Sequence, residues 1–517
     1  MSALPAANEP STKTWLGHPR GLSTLFFTEM WERFSYYGMR AFLLLYMTAS
    51  ADIGGLGWPT AKAGPVYGLY TAMVYLMSLP GGWIADKFIG LRRAVFTGGV
   101  IIMLGHISLA MHGLGFFYLG LFLVVMGTGL LKPNMSALVG TLYSEQDARR
   151  DSGFSIYYMG INIGAFAAPL LTGFLSQSAT FRGWMQGWGL NPNDSWHFGF
   201  GAAAVGMAFG LAQYLMTSKY LGNCGLKPER PADAGAHARQ KRDLTIGLGG
   251  LALVVALVLV FRVAIESIVR GVGILLIILP FVYFGVLFAQ KGWTPIERKR
   301  LYSIPAFFVF AALFWSVFEQ AGSTLNLFAD RATNNSLLGF AFPSSWFQSV
   351  NALFIVLLAP LFSILWVWLA RRKREPSSPN KFAVGLLFVG LGFAVMIPAA
   401  HVAGAIPAAE GAKAPNLVSP AWLLSVYLLH TIGELCLSPV GLSTMTKLAP
   451  ARVAGQMLGV WFLASSVGNF IGGQFAGMFE RLPLPQLFGS VVGVTATFTL
   501  IAFVIAKPIR RLMSGVH

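Results

Sequence analysis

Apolar runs of about twenty residues recur along almost the whole of this chain, and each is long enough to cross a hydrocarbon layer about 30 Å thick. They lie near 21–49, 62–86, 94–112, 115–140, 152–177 and 197–217, then near 303–328, 343–370, 382–402, 419–446, 453–478 and 485–506. Two more, near 244–261 and 271–290, fall between these sets. A lipid interior offers no water to peptide groups, so a crossing segment must pair its own N–H and C=O groups, as an α-helix does. The expected fold is an all-α integral membrane protein of about 14 transmembrane helices. Its plan is a tail (1–20), a six-helix bundle (21–217), a linker with two additional helices (218–302) and a second six-helix bundle (303–512). Composition agrees: 11% of the 517 residues are charged, against about 25% in soluble domains.

The net charge of +17 would suit nucleic acid, but the placement of the bases argues for a bilayer instead. With the N terminus inside, 27 of the 37 Lys and Arg fall in inside segments, seven fall outside, and Arg33, Arg40 and Lys132 lie within helices. Cytoplasmic loops carry this kind of excess, so both termini are expected in the cytoplasm and no nucleic-acid partner is expected. The first apolar run is too long for a cleaved signal and should remain as a helix. Cys224 and Cys436 are the only cysteines, too few for a disulfide framework or a thiolate metal site. Neither His-Glu-x-x-His nor a phosphate loop occurs, which argues against a metalloprotease or a built-in ATP motor. A transporter of this kind would need no cofactor and would draw on a gradient. No obligate protein partner is evident. The stretch 224–243 reads as a linker with at most a short amphipathic helix, and the two additional helices read as peripheral.

Within the first apolar run, Glu29, Glu32, Arg33, Tyr36, Tyr37 and Arg40 share one helix stripe roughly 140° wide. Each charge at the bilayer centre would cost about 2.5–3.5 kcal/mol or more without a partner or water. A polar cavity follows. The other charges within helices are Lys132, Glu319 and Glu434, so four carboxylates stand against three bases. One added proton would neutralise the set, which is a physical argument for proton coupling. Static ion pairs between helices are the plainer alternative.

Four motifs on this plan carry a family resemblance. Glu29-x-x-Glu32-Arg33-Phe34-x-Tyr36-Tyr37-Gly38 resembles the helix-1 motif of the proton-dependent oligopeptide transporters, a branch of the major facilitator superfamily. Residues 154–166, with Tyr157, Tyr158 and Asn162, are similar to that family's helix-5 signature, and 433–443, with Glu434 and Pro439, to its helix-10 motif. Residues 81–93 resemble the superfamily's helix 2–3 loop. The resemblance implies a multi-pass protein of the bacterial cytoplasmic (inner) membrane that couples protons to uptake of di- and tripeptides by alternating access.

Carried over residue by residue, the resemblance assigns Arg40 and Lys132 to the peptide carboxylate and Asn162, Asn351 and Glu434 to the peptide amino terminus. Tyr36, Tyr37 and Tyr75 would line the site, and Trp461 and Ser465 would form a side-chain pocket. It also implies two gating salt bridges, Arg40 with Glu319 and Lys132 with Glu434, and a proton-coupling set of Glu29, Glu32, Arg33, Glu319 and Lys132. Two bases and an acid at opposite ends suit a zwitterion. Animal members use a helix-2 histidine, whereas 62–86 contains none, so carboxylates must carry the protons here. Pro133, Pro169, Pro360 and Pro439 are expected to break or bend helices near the charges. The rival readings are a proton symporter of nitrate, a peptide-like drug or another anion on the same scaffold, and a peptide receptor that transports nothing.

Overall fold

The computed structural model describes residues 14–144, 146–228, 234–337, 339–407 and 412–515. In chain order its helices are α1 (Gly21–Thr48), α2 (Thr60–Leu76), α3 (Ser78–Ile84), α4 (Leu91–Leu109), α5 (Leu114–Gly140), α6 (Arg150–Gln177), α7 (Ala179–Gly187) and α8 (Ser195–Thr217). After these come α9 (Ala234–Val260) and α10 (Ile265–Ala289). The remainder are α11 (Pro295–Phe318), α12 (Thr324–Arg331), α13 (Gln348–Arg371), α14 (Ser378–Ala403), α15 (Ala421–Leu448), α16 (Met457–Ala476) and α17 (Leu484–Leu512). Two antiparallel two-residue ribbons, Thr14–Trp15 with His18–Pro19 and Ser336–Leu337 with Phe340–Ala341, are the strands described.

Among the described residues, ten helices are long and apolar enough to cross a membrane by length and composition. The α2–α3 pair, α4 and α16 fall outside that set, as does α1, which carries Glu29, Glu32, Arg33 and Arg40. Counting these four, the crossing helices follow the expected plan of six, two and six. Helices α1–α8 pack mainly on one another, as do α11–α17, and the two groups meet through α2 on α16, α6 on α13 and α1 on α12.

The structure departs from the sequence expectation at several helix bounds. The run 62–86 is not one helix: the chain tightens at Met77 and ends in a π-helical turn at Ala85–Ile89. The run 303–328 is interrupted by a 3₁₀ turn, Glu319–Gly322, whose following residue Ser323 has φ −127° and ψ −91°. Pro133, Pro169, Pro360 and Pro439 lie inside helices that continue through them. Helix α9 begins at Ala234, so the second part of the linker is helical and continuous with the span. Glu266 lies in the first turn of α10 and pairs with Lys62 at 3.1 Å.

The core is divided unequally between the two ends of the molecule. One apolar cluster runs from Met39, Phe42 and Tyr46 of α1 through α2 and into the second group, reaching Phe307, Phe393 and Phe488. A separate cluster, with Leu22, Leu25, Met135, Leu138 and Tyr157, belongs to the first group alone. The halves thus share a core toward the far face, the one that α1 reaches at Thr48. Toward the near face, where α1 begins, the first group has a core of its own.

At the far face α2 and α16 touch backbone to backbone. A Cβ on Gly68 would lie 2.7 Å from the Gly473 Cα, and one on Gly473 would lie 2.4 Å from the Gly68 Cα. Only glycine fits at both positions without displacing a helix. A charged latch sits beside this seam. Glu480, in the turn after α16, accepts from the Thr60 backbone N–H at 2.9 Å and from Arg331 Nη1 at 2.6 Å. Thr60 is the first residue of α2, whose N-cap residue Pro59 makes no side-chain cap bond, so the other half of the molecule supplies the cap. Half burial works to raise the Glu480 carboxyl. The hydrogen bonds from Arg331 and Thr60, with the Arg331 charge, outweigh that and hold it below the usual glutamate range.

Candidate functional site

The charged stripe of α1 divides by depth into two groups. In the lower turns, Arg33 Nε lies 3.0 Å from Glu29 Oε1 and 2.5 Å from Glu32 Oε2, and all three side chains are buried. These are close charges in poor hydrogen-bond alignment: among the described residues, both Glu32 carboxylate oxygens, Glu29 Oε2 and Arg33 Nη2 have no hydrogen-bond partner. Two turns farther along, Arg40 forms a buried ion pair with Glu319 and donates from Nε to the Tyr67 hydroxyl at 2.8 Å. Glu319 can reach across because it sits in the 3₁₀ turn that interrupts α11 and α12.

A cavity of about 160 Å³ lies between the halves, and Arg40, Glu319, Asn162, Asn351 and Glu434 are among the residues that line it. Asn351 Nδ2 is placed between Glu434 Oε2 at 3.1 Å and Thr431 Oγ1 at 3.0 Å. Tyr37, Tyr75, Tyr158, Trp315 and Phe318 supply aromatic walls. Gln348 donates to the Ala321 carbonyl at 2.6 Å and to the Tyr427 hydroxyl at 2.8 Å, which ties α13 and α15 to the turn beside Glu319. Such a chamber offers a cation, two anions and amides among tolerant apolar walls.

The other expected site residues lie differently. The Lys132–Glu434 pair is not formed: Lys132 Nζ stands 3.7 Å above the Tyr75 ring, and the described bond to Glu434 comes from Asn351. Lys132 projects from α5 in the first half and Glu434 from α15 in the second. A bridge between them requires the near-face ends of the two halves to approach, and it is there that the first half keeps its separate core. Tyr36 is buried against Tyr37, with its hydroxyl unpartnered. Trp461 and Ser465 are outside the cavity lining: the indole packs at Gly441, and the Ser465 hydroxyl donates to the Trp461 carbonyl at 3.3 Å. His430 lines the cavity with both ring nitrogens unpartnered, held between Phe318 and Phe393. Arg92, in the loop motif of residues 81–93, donates to the Gly222 and Ser218 carbonyls, within its own half.

Tyr67, Tyr158, Gln348 and Tyr427 were not singled out from sequence as site residues. A hydroxyl or amide at helical spacing among aromatic neighbours gives no signal of which face meets the cavity. The break at Glu319 is what reveals Tyr67, Gln348 and Tyr427, and the cavity lining reveals Tyr158.

Two opposed six-helix groups around a central charged chamber define a membrane transporter of the major facilitator type. The sequence pattern of the POT family (PTR2) matches residues 92–490, and the chain belongs to that family. It is 41% identical to the peptide transporter YePEPT of Yersinia enterocolitica, across 99% of this chain and 98% of that one. It is 38% identical to a di-/tripeptide transporter of Lactococcus lactis subsp. cremoris, across 98% of both chains. Among solved structures, a peptide transporter POT in complex with sulfate superposes with a TM-score of 0.86 at 42% identity, covering 97% of each chain. A POT family transporter in complex with 5-aminolevulinic acid superposes at 0.85, with 34% identity over 96% of this chain and 98% of that one.

Proposed function

We propose that this protein carries di- and tripeptides, together with protons, across a bacterial cytoplasmic membrane by alternating access, with no cofactor beyond the proton gradient. The observation that carries the reading is the chamber itself, lined by the Arg40–Glu319 pair, by Asn351 with Glu434 and by aromatic side chains. A peptide is a zwitterion, and those two groups match its carboxylate and its ammonium. The names of the Yersinia and Lactococcus relatives support the substrate class.

In this reading Arg40 exchanges Glu319 for the peptide carboxylate when Glu319 takes a proton. The Glu29–Glu32–Arg33 cluster is the second proton-linked group, near Lys132. Asn162, Asn351 and Glu434 receive the amino terminus, and Tyr36, Tyr37, Tyr75, Trp461 and Ser465 shape the surroundings. Lys132 joins Glu434 when the near face closes. The excess of Lys and Arg at the near-face ends supports a cytoplasmic near face and cytoplasmic termini. The shared far-face core and the glycine seam support a conformation closed to the outside.

The test is uptake of labelled dialanine into proteoliposomes under an inward proton gradient. Gradient-dependent accumulation in the wild type and its loss in Glu319→Gln are expected. Uptake that ignores the gradient, or that persists equally in the variant, overturns proton coupling. Stronger competition by nitrate than by unlabelled di- and tripeptides overturns the substrate.

A further inference from the structure

A second cavity lies away from the chamber, on the lipid-facing side where α10 crosses the seam between α2 and α16. Its volume is about 520 Å³. The rim at the far face is charged: Lys62 pairs with Glu266, and Arg270 stands one turn deeper on α10. Among the described residues Arg270 is exposed and has no ion pair or hydrogen bond. Below the rim, Gln474 of α16 lines the cavity, and its Nε2 is buried without a partner. Deeper still the walls are apolar, formed by Ile274, Ile277 and Ile278 of α10 with Phe470 of α16.

The dimensions select the occupant. From Glu266 to Ile278 the groove follows α10 for about 18 Å at ~1.5 Å per residue. A hydrocarbon core about 30 Å thick gives each leaflet ~15 Å. A groove that starts charged at the interface and ends apolar near mid-bilayer has the depth and polarity of a single lipid. Its rim charges, Lys62 and Arg270 against Glu266, leave one positive charge in excess.

The geometry points to a binding site for one phospholipid of the far-face leaflet, with its phosphate on Arg270 and Lys62, an ester carbonyl accepting from Gln474 Nε2, and an acyl chain along Ile274, Ile277 and Phe470. Its walls belong to both halves, since α2 is in the first and α16 in the second. The lipid therefore binds the closed seam better than a parted one and biases the transporter toward it.

Native mass spectrometry of the delipidated full-length protein, titrated with phosphatidylglycerol, tests the site. One saturable adduct above the background of loosely held lipid is expected. Arg270→Gln should weaken it about fivefold, the loss expected for one basic residue near an anionic headgroup. Ile274→Trp, at an exposed position in the groove, should abolish it, whereas Leu275→Trp, on the same helix but outside the lining, should retain it. Absence of a saturable adduct, wild-type binding by either groove variant, or displacement by inorganic phosphate alone overturns the proposal.

Discussion

Glu480→Gln should loosen the far-face seam without touching the chamber. The wild-type carboxylate serves two donors, one oxygen for Arg331 at 2.6 Å and the other for the Thr60 N–H at 2.9 Å. An amide has one acceptor oxygen, so one donor loses its partner. Arg331 is 2% exposed and carries a full charge, so it keeps the oxygen, and the bond across the two halves is the one lost. A hydrogen bond to a charged acceptor contributes about 1.5–3 kcal/mol. Because the Glu480 side chain is 22% exposed, the lower part of that range applies, with ~0.3–1 kcal/mol more for a negative charge at a helix N-terminus. The total of about 1.8–2.5 kcal/mol moves the closed-to-open ratio by roughly twenty- to sixtyfold. Spin labels on exposed Ile53 and Met478, with Cys224 and Cys436 replaced, would report this in a pulsed electron paramagnetic resonance distance distribution. A longer-distance population should grow in the variant. The sign of the pH effect follows from the depressed carboxyl. The latch is fully formed above the ordinary glutamate value near 4.3 and is lost only as pH falls through the lower native value. The difference between wild type and variant should hold from pH 5 to 8 and vanish in stronger acid. Identical distributions at pH 7 would refute the reasoning.

Three further outcomes are expected. Glu319→Gln removes the charge that holds Arg40, so gradient-driven accumulation of dialanine should fall at least about tenfold, while exchange of labelled for unlabelled peptide without a gradient persists; equal loss of both would exclude a coupling role. Glu434→Gln should raise the KM for dialanine about ten- to hundredfold, the value of one charge-assisted hydrogen bond, and leave N-acetyl-dialanine, which has no ammonium group, unchanged. Gly473→Val places carbon 2.4 Å from the Gly68 Cα and should cost the closed state about 1–3 kcal/mol. This would appear as growth of the longer-distance population between spin labels at Ile53 and Met478, whereas Gly489→Val, which faces open space, should give the wild-type distribution.

The helical plan and the residues of the charged stripe were legible for one reason: charges in an apolar run are rare and costly, so each one marks a polar environment. Glu29, Glu32, Arg33, Arg40, Glu319 and Glu434 all stood out on that ground. What the pattern could not show was backbone irregularity. The turn at Glu319–Gly322 contains no proline, and its neighbours Phe318 and Thr324 suit a continuous helix as well as a broken one. The interior prolines point the opposite way: each reads as a break, yet its helix continues. Contacts that depend on how far the halves have rocked are likewise absent from any local pattern, which is why Arg40–Glu319 is formed and Lys132–Glu434 is not. The Glu480–Thr60 cap joins residues 420 positions apart and involves a backbone N–H that every non-proline residue possesses.

The glycine contact between α2 and α16 bears on how quickly the molecule can turn over. Closing an interface built from long side chains would freeze several rotamers each time, at about 0.5–2 kcal/mol per residue, and release them again on opening. Where Gly68 meets Gly473 there are no rotamers to freeze. That contact adds little entropic barrier in either direction, and the balance between its two states falls to a few charges and to whatever fills the groove beside it.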